Sequence, residues 1–265
     1  MSPKAIAAIV VIALFLTALL GFWLVERSRP VVPYSTAELP EPCRELGFEG
    51  VSYIVCEIDL RHADVGIHHS GPDGIAYGSL DAFDRAMVEQ GRPVVLAMNA
   101  GMYHEGLSPV GLLVEDGRKV SPVDSGEGEG NFYLKPNGIF LIGGDGKAAM
   151  METGEFVARR PGSRFATQSG PMLVIDGQVH PKFLPDGTSK FTRNGVGVRD
   201  PDTVVLAISL SEVSLGSFAR LFRDELRCPN ALFLDGAIST LSNGERTLLG
   251  GDYPVGPILS VTPKR

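Results

Sequence analysis

The chain contains 265 residues, 44% of them hydrophobic, and carries a formal net charge of −7 with a sequence pI near 5.3. This length supplies apolar material for a sizeable core, and an acidic chain without long basic runs argues against a nucleic-acid partner. The patterns G-x-S-x-G, H-E-x-x-H, C-x-x-C and a strand-linked G-x-G-x-x-G are absent, which disfavours enzymes of those types. We predict neither a metal site nor a cofactor.

The N-terminal segment is apolar enough to cross a membrane. Residues 5–25 contain no charged side chain, and a helix of that length spans about 31 Å. No clear small-x-small cleavage site follows, which favours an uncleaved anchor over a removed signal peptide. We therefore predict a single-pass signal anchor at residues 1–25, a proline-rich linker at 26–42 and one domain at 43–265. The predicted location is the inner membrane, with the domain in the periplasm or extracellular space.

The three cysteines leave two alternatives open. Cys43 and Cys56 flank a short segment and could form a disulfide bridge, leaving Cys228 unpaired, as suits an exported domain. The other alternative is three buried thiols in a cytosolic domain.

The first part of the domain predicts a strand and a helix. Residues 51–60 have the composition of a strand. In the polar stretch that follows, His68 and His69 point to opposite faces, so we interpret them as surface residues rather than a metal pair. Residues 79–90 predict a helix, because Ser79 is a suitable N-cap and apolar side chains recur at helical spacing.

Polar residues follow the next strand, which we predict at residues 93–98. Asn99 comes directly after it and can both donate and accept hydrogen bonds, although an Asx-type turn is the simpler role. Glu105, in the following loop, is a candidate acid with no evident partner. Arg193, in a glycine-containing segment, offers a planar fork for an oxyanion, the alternative being an arginine at a surface turn.

The C-terminal part predicts a strand at residues 203–208, a helix at 215–227 and a strand at 231–235. This order predicts a β-α-β crossover with the two strands as parallel neighbours. Asp235 would then lie at the carboxyl end of its strand, where α/β sheets bind ligands, with Ser239 in the same turn. The alternative is that Asp235 only forms the turn and Ser239 only caps the next segment.

Glycine-rich turns elsewhere complete the predicted fold class. Residues 111–117 and 138–146 predict hairpins. We therefore predict an α+β fold, a mixed and largely antiparallel sheet with hairpins, at least one β-α-β crossover and flanking helices.

Six short motifs occur along the domain, at residues 99–101, 108–112, 131–140, 168–171, 193–197 and 234–239. In this order they resemble the phosphodiester glycosidase family, which is related to the catalytic domain of the lysosomal uncovering enzyme. The similarity is greatest to the bacterial exported or membrane-anchored branch of that family, and it extends over roughly residues 43–262.

The resemblance implies a hydrolase that cleaves a sugar-1-phosphodiester of an envelope or extracellular glycan phosphate, releasing the sugar and a phosphomonoester. It gives Arg193 the role of binding the anionic phosphodiester and Asp235 that of stabilising positive charge on the sugar. Asn99 is expected to position the substrate, and Glu105 is the fallback acid. The other expected substrate-binding residues are Gln168, Ser169, Asn194, Gly236, Ser239, Lys135 and Asn137.

Two turns depart from the glycine-rich pattern of the family. The family's asparagine-glycine-glycine is Asn99-Ala-Gly here, and its aspartate-glycine-glycine-glycine-serine is Asp235-Gly-Ala-Ile-Ser. Ala100, Ala237 and Ile238 therefore carry side chains where backbone could contact a ligand. The alternative to an enzyme is a non-catalytic envelope module that binds glycans or glycan phosphates.

Overall fold

The computed structural model describes residues 35–264, which form three β-sheets and several short helices. The strands are β1 (Cys43–Phe48), β2 (Val51–Asp59), β3 (Ala63–His68), β4 (Leu96–Asn99), β5 (Leu113–Glu115), β6 (Arg118–Ser121), β7 (Gly138–Ile142), β8 (Ala148–Glu152), β9 (Phe165–Ser169), β10 (Met172–Ile175), β11 (Gln178–Val179), β12 (Asn194–Asp200), β13 (Thr203–Ser209), β14 (Asn230–Asp235), β15 (Leu241–Ser242), β16 (Thr247–Leu249) and β17 (Ile258–Pro263). The helices are α1 (Leu80–Glu89), α2 (Thr153–Arg159) and α3 (Leu215–Arg220), with short 3-10 turns at Thr36–Glu38 and Asn131–Tyr133. The predicted α+β class is confirmed.

The three sheets are built from antiparallel pairs. The seven-stranded sheet has the order β1-β2-β13-β12-β14-β10-β11, and the five-stranded sheets have the orders β16-β15-β4-β17-β3 and β6-β5-β9-β7-β8. Each strand pairing in the described chain is antiparallel. Six of these pairings join consecutive strands through short turns, as antiparallel neighbours allow, and the others join strands distant in sequence.

The predicted crossover exists, but its two strands are not neighbours. Strand β13 leads through α3 and a π-helical turn at Leu221–Glu225 into β14. Both strands pair antiparallel with β12, which lies between them, so they run in the same direction one position apart. The prediction of adjacent parallel strands was wrong because the hairpin partner of β13 precedes it in sequence and occupies the position beside it.

Alternating side chains place β2 between two apolar layers. Ile54 and Ile58 join the core shared by the three sheets, whereas Tyr53 and Val55 join a second core beneath α3 that includes Phe218. Successive side chains of a strand point to opposite faces, so one strand can support both layers. The seven-stranded sheet is thus buried on both sides and provides a rigid base for the residues at its ends.

Helix α1 agrees with the prediction, whereas α2 was not predicted. The hydroxyl of Ser79 accepts a hydrogen bond from the backbone N–H of Ala82 (3.1 Å), and the helix buries Leu80, Phe83 and Met87. Helix α2 has no side-chain cap and buries only Thr153 among its residues, so its sequence carries little helical signal.

His68 is buried, contrary to the prediction of a surface position. Only 7% of its surface is exposed. Its Nε2 lies 3.0 Å from the hydroxyl of Ser260, and its Nδ1 lies 3.3 Å from Glu115. These partners come from distant parts of the sequence, and the pairing of β3 with β17 brings Ser260 beside the histidine.

The structure contains the Cys43–Cys56 disulfide, the first of the two alternatives for the cysteines. It joins β1 to β2, in which the two residues are direct partners. Cys228 is a free buried thiol, and burial raises its pKa to about 12. The predicted anchor at residues 1–25 lies outside the described residues, and between residues 35 and 264 no helix is long and apolar enough to span a membrane.

Candidate active site

Polar residues meet where β4, β9 and β14 end and β12 begins. Asn194, the first residue of β12, is the register partner of Asp235, the last residue of β14. The side-chain N–H of Asn194 donates to the backbone carbonyl (3.0 Å) and side-chain carbonyl (2.7 Å) of Asn99, at the end of β4. These two bonds join the seven-stranded sheet to a five-stranded sheet and hold two of the predicted site residues together.

The two asparagines retain hydrogen-bonding capacity. The side-chain oxygen of Asn99 also accepts from the backbone N–H of Thr240 (3.0 Å), so it does not form a local Asx turn. Both side chains are fully buried, yet Asn99 Nδ2 and Asn194 Oδ1 have no partner within the described chain. Buried polar atoms are normally paired, so unpaired ones at one place are the expected mark of a ligand or ordered water position.

Asp235 forms the tight turn that was the simpler alternative for it, and this turn also orients its carboxylate. Its Oδ1 accepts from the backbone N–H groups of Ala237 (2.9 Å) and Ile238 (2.7 Å). Its Oδ2 has no hydrogen-bond partner in the described chain, and Asp235 as a whole is partly buried. Burial raises the pKa of Asp235, and the two backbone N–H groups, Ser239 and Arg193 partly offset that effect.

Arg193 is buried rather than placed at a surface turn. Its Nε donates to the carbonyl of Val213 (2.8 Å) and its Nη2 to the carbonyl of Ser189 (3.1 Å). The guanidinium carbon lies 5.4 Å from the ring centre of Phe191 and 5.2 Å from that of Phe233. These contacts fix a planar cation in an apolar environment.

One nitrogen of this guanidinium remains free. Arg193 Nη1 is buried and has no hydrogen-bond partner in the described chain. Burial lowers the pKa of Arg193 to about 10, and Asp235 opposes this change, so the side chain stays protonated at neutral pH. A buried cation with an unused N–H donor is suited to bind an oxyanion.

Gly236 is required because its α-carbon lies against the guanidinium. A Cβ at this position would come within 2.9 Å of Arg193 Nη1 and 2.8 Å of the Phe233 ring. Such distances are shorter than carbon contacts allow, so only glycine leaves both groups in place. This geometry supports the prediction that Gly236 belongs to the site.

Ser239 and Tyr103 lie next to Asp235. The hydroxyl of Ser239 donates to the carbonyl of Thr192 (3.2 Å) and lies 3.5 Å from Asp235 Oδ1. Tyr103 was not predicted; its hydroxyl donates to the carbonyl of Pro254, and burial together with the charge of Asp235 raises its pKa to about 12. Its position four residues after Asn99, within the same loop, was the signal available in the sequence.

Ser169 and Gly101 bring two further motifs to the site. The hydroxyl of Ser169 donates to the carbonyl of Leu234 (3.4 Å), directly before Asp235. Gly101 has a positive φ of 112°, and a Cβ on it would come within 3.0 Å of the Thr167 hydroxyl. The predicted residues Asn99, Ser169, Arg193, Asn194, Gly236 and Ser239 therefore gather around Asp235.

Gln168 has a structural task, because its side-chain amide is fully used inside the protein. Its Oε1 accepts from the backbone N–H groups of Leu112 (3.0 Å) and Asp124 (2.9 Å). Its Nε2 donates to the carbonyl of Asp124 (2.7 Å) and to the hydroxyl of Thr153 (3.2 Å). An amide makes four such bonds at most, so substrate contact by Gln168 would require breaking one of them.

Three more predicted residues form no hydrogen bond or ion pair with this cluster in the described chain. Asn137 is buried and donates to the carbonyl of Phe132 (2.9 Å), and Lys135 Nζ donates to the carbonyl of Ser125 (3.1 Å). Glu105 is exposed in its loop, with no hydrogen bond or ion pair to Asp235. The role of Glu105 as an acid stays a prediction.

The side chains of this cluster are not a typical set of metal ligands. Within residues 35–264, no group of three or more histidine, cysteine, aspartate or glutamate side chains is close enough to hold a metal ion. The site consists instead of one carboxylate, one guanidinium, two amides and hydroxyl groups, a set suited to an anionic, hydroxyl-rich ligand.

Comparison with known proteins identifies the class. Residues 92–249 match the family model described as phosphodiester glycosidase. The chain is 33% identical over 192 residues to the uncharacterized protein YigE of Escherichia coli strain K12, covering 72% of this chain and 74% of that protein. The chain therefore belongs to the phosphodiester glycosidase family, in agreement with the resemblance of its motifs.

Solved structures share the fold. The catalytic domain of zebrafish N-acetylglucosamine-1-phosphodiester alpha-N-acetylglucosaminidase, auto-inhibited by its pro-peptide, is similar with a TM-score of 0.61 and 16% identity, over 84% of this chain and 82% of that chain. A hypothetical protein from Synechocystis is similar with a TM-score of 0.55 and 14% identity, over 84% of this chain and 61% of that chain.

Proposed function

We propose that the chain is a hydrolase that cleaves a sugar-1-phosphodiester and releases the sugar and a phosphomonoester. The observation that carries the proposal is that the buried Nη1 of Arg193 has no partner in the described chain and lies against Gly236, next to Asp235, whose carboxylate keeps one oxygen without a hydrogen bond. A phosphodiester anion satisfies the guanidinium, and the sugar attached to it then lies beside the carboxylate. Membership of the phosphodiester glycosidase family supports the same reaction class.

In the proposed reaction, the bond between the anomeric carbon and the phosphate oxygen breaks. The bonding electrons leave with the phosphomonoester, whose growing charge Arg193 stabilises. Positive charge develops on the anomeric carbon, where the ionised carboxylate of Asp235 stabilises it. Water supplies the oxygen of the new sugar hydroxyl. Phosphate is a good leaving group, so the reaction depends less on a general acid such as Glu105.

The amides are proposed to orient the substrate. Asn99 Nδ2 can donate to a sugar or phosphate oxygen, and Asn194 Oδ1 can accept from a sugar hydroxyl. Both atoms are buried and unpaired, so a ligand that satisfies them removes a desolvation cost. This complementarity favours a substrate with adjacent hydroxyl groups and one negative charge.

The proposed location is the cell envelope, with a glycan phosphate of the periplasm or extracellular space as the substrate class. The Cys43–Cys56 disulfide supports it, because such bonds persist in oxidising compartments. The apolar segment at residues 5–25 supports membrane attachment.

The alternative is a glycan-phosphate binding module without turnover. Ala237 and Ile238 favour it, because they replace two glycines of the family's turn at Asp235. Even so, their backbone N–H groups hold the carboxylate in place, so the substitutions leave the geometry of Asp235 intact.

The deciding experiment incubates the full chain with a panel of sugar-1-phosphodiesters in water enriched in ¹⁸O. The expected result is release of sugar with the label at its anomeric hydroxyl, and loss of release in Asp235→Asn. Label in the phosphate would instead show cleavage of the phosphorus–oxygen bond and refute this mechanism. Saturable binding without release would establish the binding module.

A further inference from the structure

An apolar cavity of about 210 Å³ lies beside the candidate active site. Its apolar lining comes from three parts of the chain, with Leu134 from the segment before β7, Phe183 and Leu184 from the loop between β11 and β12, and Leu215 from the start of α3. It is open on one side, as a subsite for part of a larger ligand must be.

The cavity shares its walls with the arginine site. Ser189 lines the cavity, and its carbonyl accepts the hydrogen bond from Arg193 Nη2. Ser214 also lines it, next to Val213, whose carbonyl accepts from Arg193 Nε. The bonded donors Nε and Nη2 therefore face backbone that adjoins or lines the cavity, so the cavity lies on the other side of this backbone from the guanidinium.

The rim of the cavity is exposed and apolar. Leu184, which lines the cavity, is 72% exposed, and it is one of six large apolar side chains so exposed in the described chain. Phe191, another of the six, does not line the cavity; it stacks on the guanidinium of Arg193, and its backbone pairs with Val213, next to the lining residue Ser214. Exposed apolar side chains thus stand both at the cavity and against the cation, where water contact costs free energy unless a ligand covers them.

Two of the polar groups at the cavity are already used within the protein. The hydroxyl of Ser214 already accepts from the backbone N–H of Ser217 (3.1 Å), and the carbonyl of Ser189 is bonded to Arg193. Lys182 contributes a cation at the lining, which complements a phosphate but not a neutral sugar.

We propose that this cavity binds the alcohol half of the phosphodiester, and that this alcohol is an alkyl chain. The inference rests on the proposed function, because it assumes that the phosphate occupies Arg193 Nη1. The sugar then lies beside Asp235, and the alkyl chain passes over Phe191 to Leu184 and Leu215. The substrate class is a sugar phosphate linked to an aliphatic alcohol.

Alkyl phosphates test this subsite without any need for turnover. Binding of methyl, butyl and hexyl phosphate to the full chain would be measured by isothermal titration calorimetry. Each buried methylene is expected to strengthen binding by up to about fourfold, so hexyl phosphate should bind at least about tenfold more tightly than methyl phosphate. Equal affinity for the three compounds, or no binding of any, would overturn the inference.

A matched pair of variants locates the effect. Leu184→Ser should remove most of the gain for hexyl phosphate and leave methyl phosphate unchanged. Ile75→Ser is the control, because Ile75 is 69% exposed but lines a different cleft with Pro72 and Tyr77. Retention of the gain in Leu184→Ser, or an equal loss in both variants, would contradict the proposed cavity.

Turnover separates this inference from the proposed function. Release of sugar from methyl and hexyl diesters at equal kcat/KM, with equal phosphate affinities, would leave the hydrolase intact and exclude the alkyl subsite. Length-dependent binding that Leu184→Ser abolishes, without release of sugar from any diester, would retain the subsite and exclude the hydrolase.

Discussion

Arg193 immediately precedes β12, and Asp235 ends the neighbouring strand β14, where it pairs with Asn194. Burial lowers the pKa of Arg193 and raises that of Asp235, which disfavours the charged form of each. The charge of each side chain partly offsets the effect of burial on the pKa of the other, yet within the described chain no hydrogen bond joins them. The guanidinium uses its other donors on backbone carbonyls, and the carboxylate uses one oxygen on its own turn. The pair therefore keeps one donor and one acceptor available for a ligand that fits between them.

Replacing Asp235 with asparagine should reduce turnover and raise stability together. Burial raises the pKa of Asp235 above its value in the unfolded chain, so the folded state holds its proton to higher pH. The free energy of unfolding therefore falls as pH rises through that range, and the ionised carboxylate costs stability at pH 7. We expect at least about a 100-fold loss of kcat/KM and a higher Tm at pH 7.

The gain in Tm should shrink as the pH approaches the pKa of an unfolded aspartate, because the wild-type carboxyl is then protonated in both states. Thermal unfolding from pH 3 to pH 8 measures this directly. Wild-type turnover in Asp235→Asn would remove the residue from the mechanism. A gain in Tm that is independent of pH would show that ionisation is not its cause.

Arg193→Lys should weaken both substrate binding and the local structure. Lysine keeps the charge but cannot donate to the carbonyls of Val213 and Ser189 in the same plane. Buried carbonyls without partners cost about 1–3 kcal/mol, which lowers Tm by roughly 2–4 °C per kcal/mol. KM for a phosphodiester should rise.

Arg61→Lys is the control, because Arg61 pairs with Asp59 and its side chain is largely exposed. This variant should lower the free energy of unfolding by less than about 1 kcal/mol, with a correspondingly small change in Tm, and should leave KM unchanged. An unchanged KM in Arg193→Lys would refute phosphate binding by this guanidinium.

Gly236→Ala should impair the site through a single methyl group. The added carbon would lie 2.9 Å from Arg193 Nη1 and 2.8 Å from Phe233, so the guanidinium must move away from the turn. We expect about a tenfold or greater loss of kcat/KM, as small displacements of positioning groups are costly. Gly162→Ala is the control, since a Cβ there meets nothing within 4 Å. Equal activity of the two variants would show that the free nitrogen is not needed.

The sequence was sufficient to predict the separate motifs but not the contacts that join them. Strand β2 and helix α1 follow from composition, spacing and the Ser79 cap, which are local signals. The partners of Asn99 are Asn194 and Thr240, which are far away in sequence and become neighbours only when two sheets meet. Local signals could therefore not show that these residues share one site, and that prediction came from the family resemblance.

Local sequence does not reveal how tertiary contacts use a polar side chain. Substrate binding by Gln168 stays a prediction, and its side chain already holds two loops through four hydrogen bonds. His68 was expected at the surface, but the rings of Phe83 and Phe165 pack against it and Ser260 lies within hydrogen-bonding distance. In both cases the side chain has strong hydrogen-bonding groups, and the sequence does not show whether protein or solvent satisfies them.

Asp84 predicts a second pH dependence of stability that is independent of the site. It lies on α1 with 2% of its surface exposed, and neither carboxylate oxygen has a hydrogen-bond partner in the described chain. Burial raises its pKa to about 6, and the nearby hydroxyl of Ser242, although outside hydrogen-bonding geometry, opposes part of that rise. The folded protein therefore binds this proton more tightly than the unfolded chain does, and the free energy of unfolding falls as pH rises from about 4 to about 6.

Asp84→Asn should remove this loss and raise Tm by several degrees at pH 7, with the two proteins converging below about pH 4. Asp81→Asn, on the same helix, is the contrasting control, because Asp81 accepts hydrogen bonds from the backbone N–H and hydroxyl of Thr247. That variant should lose stability at pH 7. The turnover of both variants should match the wild type, because α1 contributes no group to the Asp235 cluster. A lower Tm for Asp84→Asn at pH 7 would contradict the prediction and would mean that ordered water satisfies the ionised carboxylate.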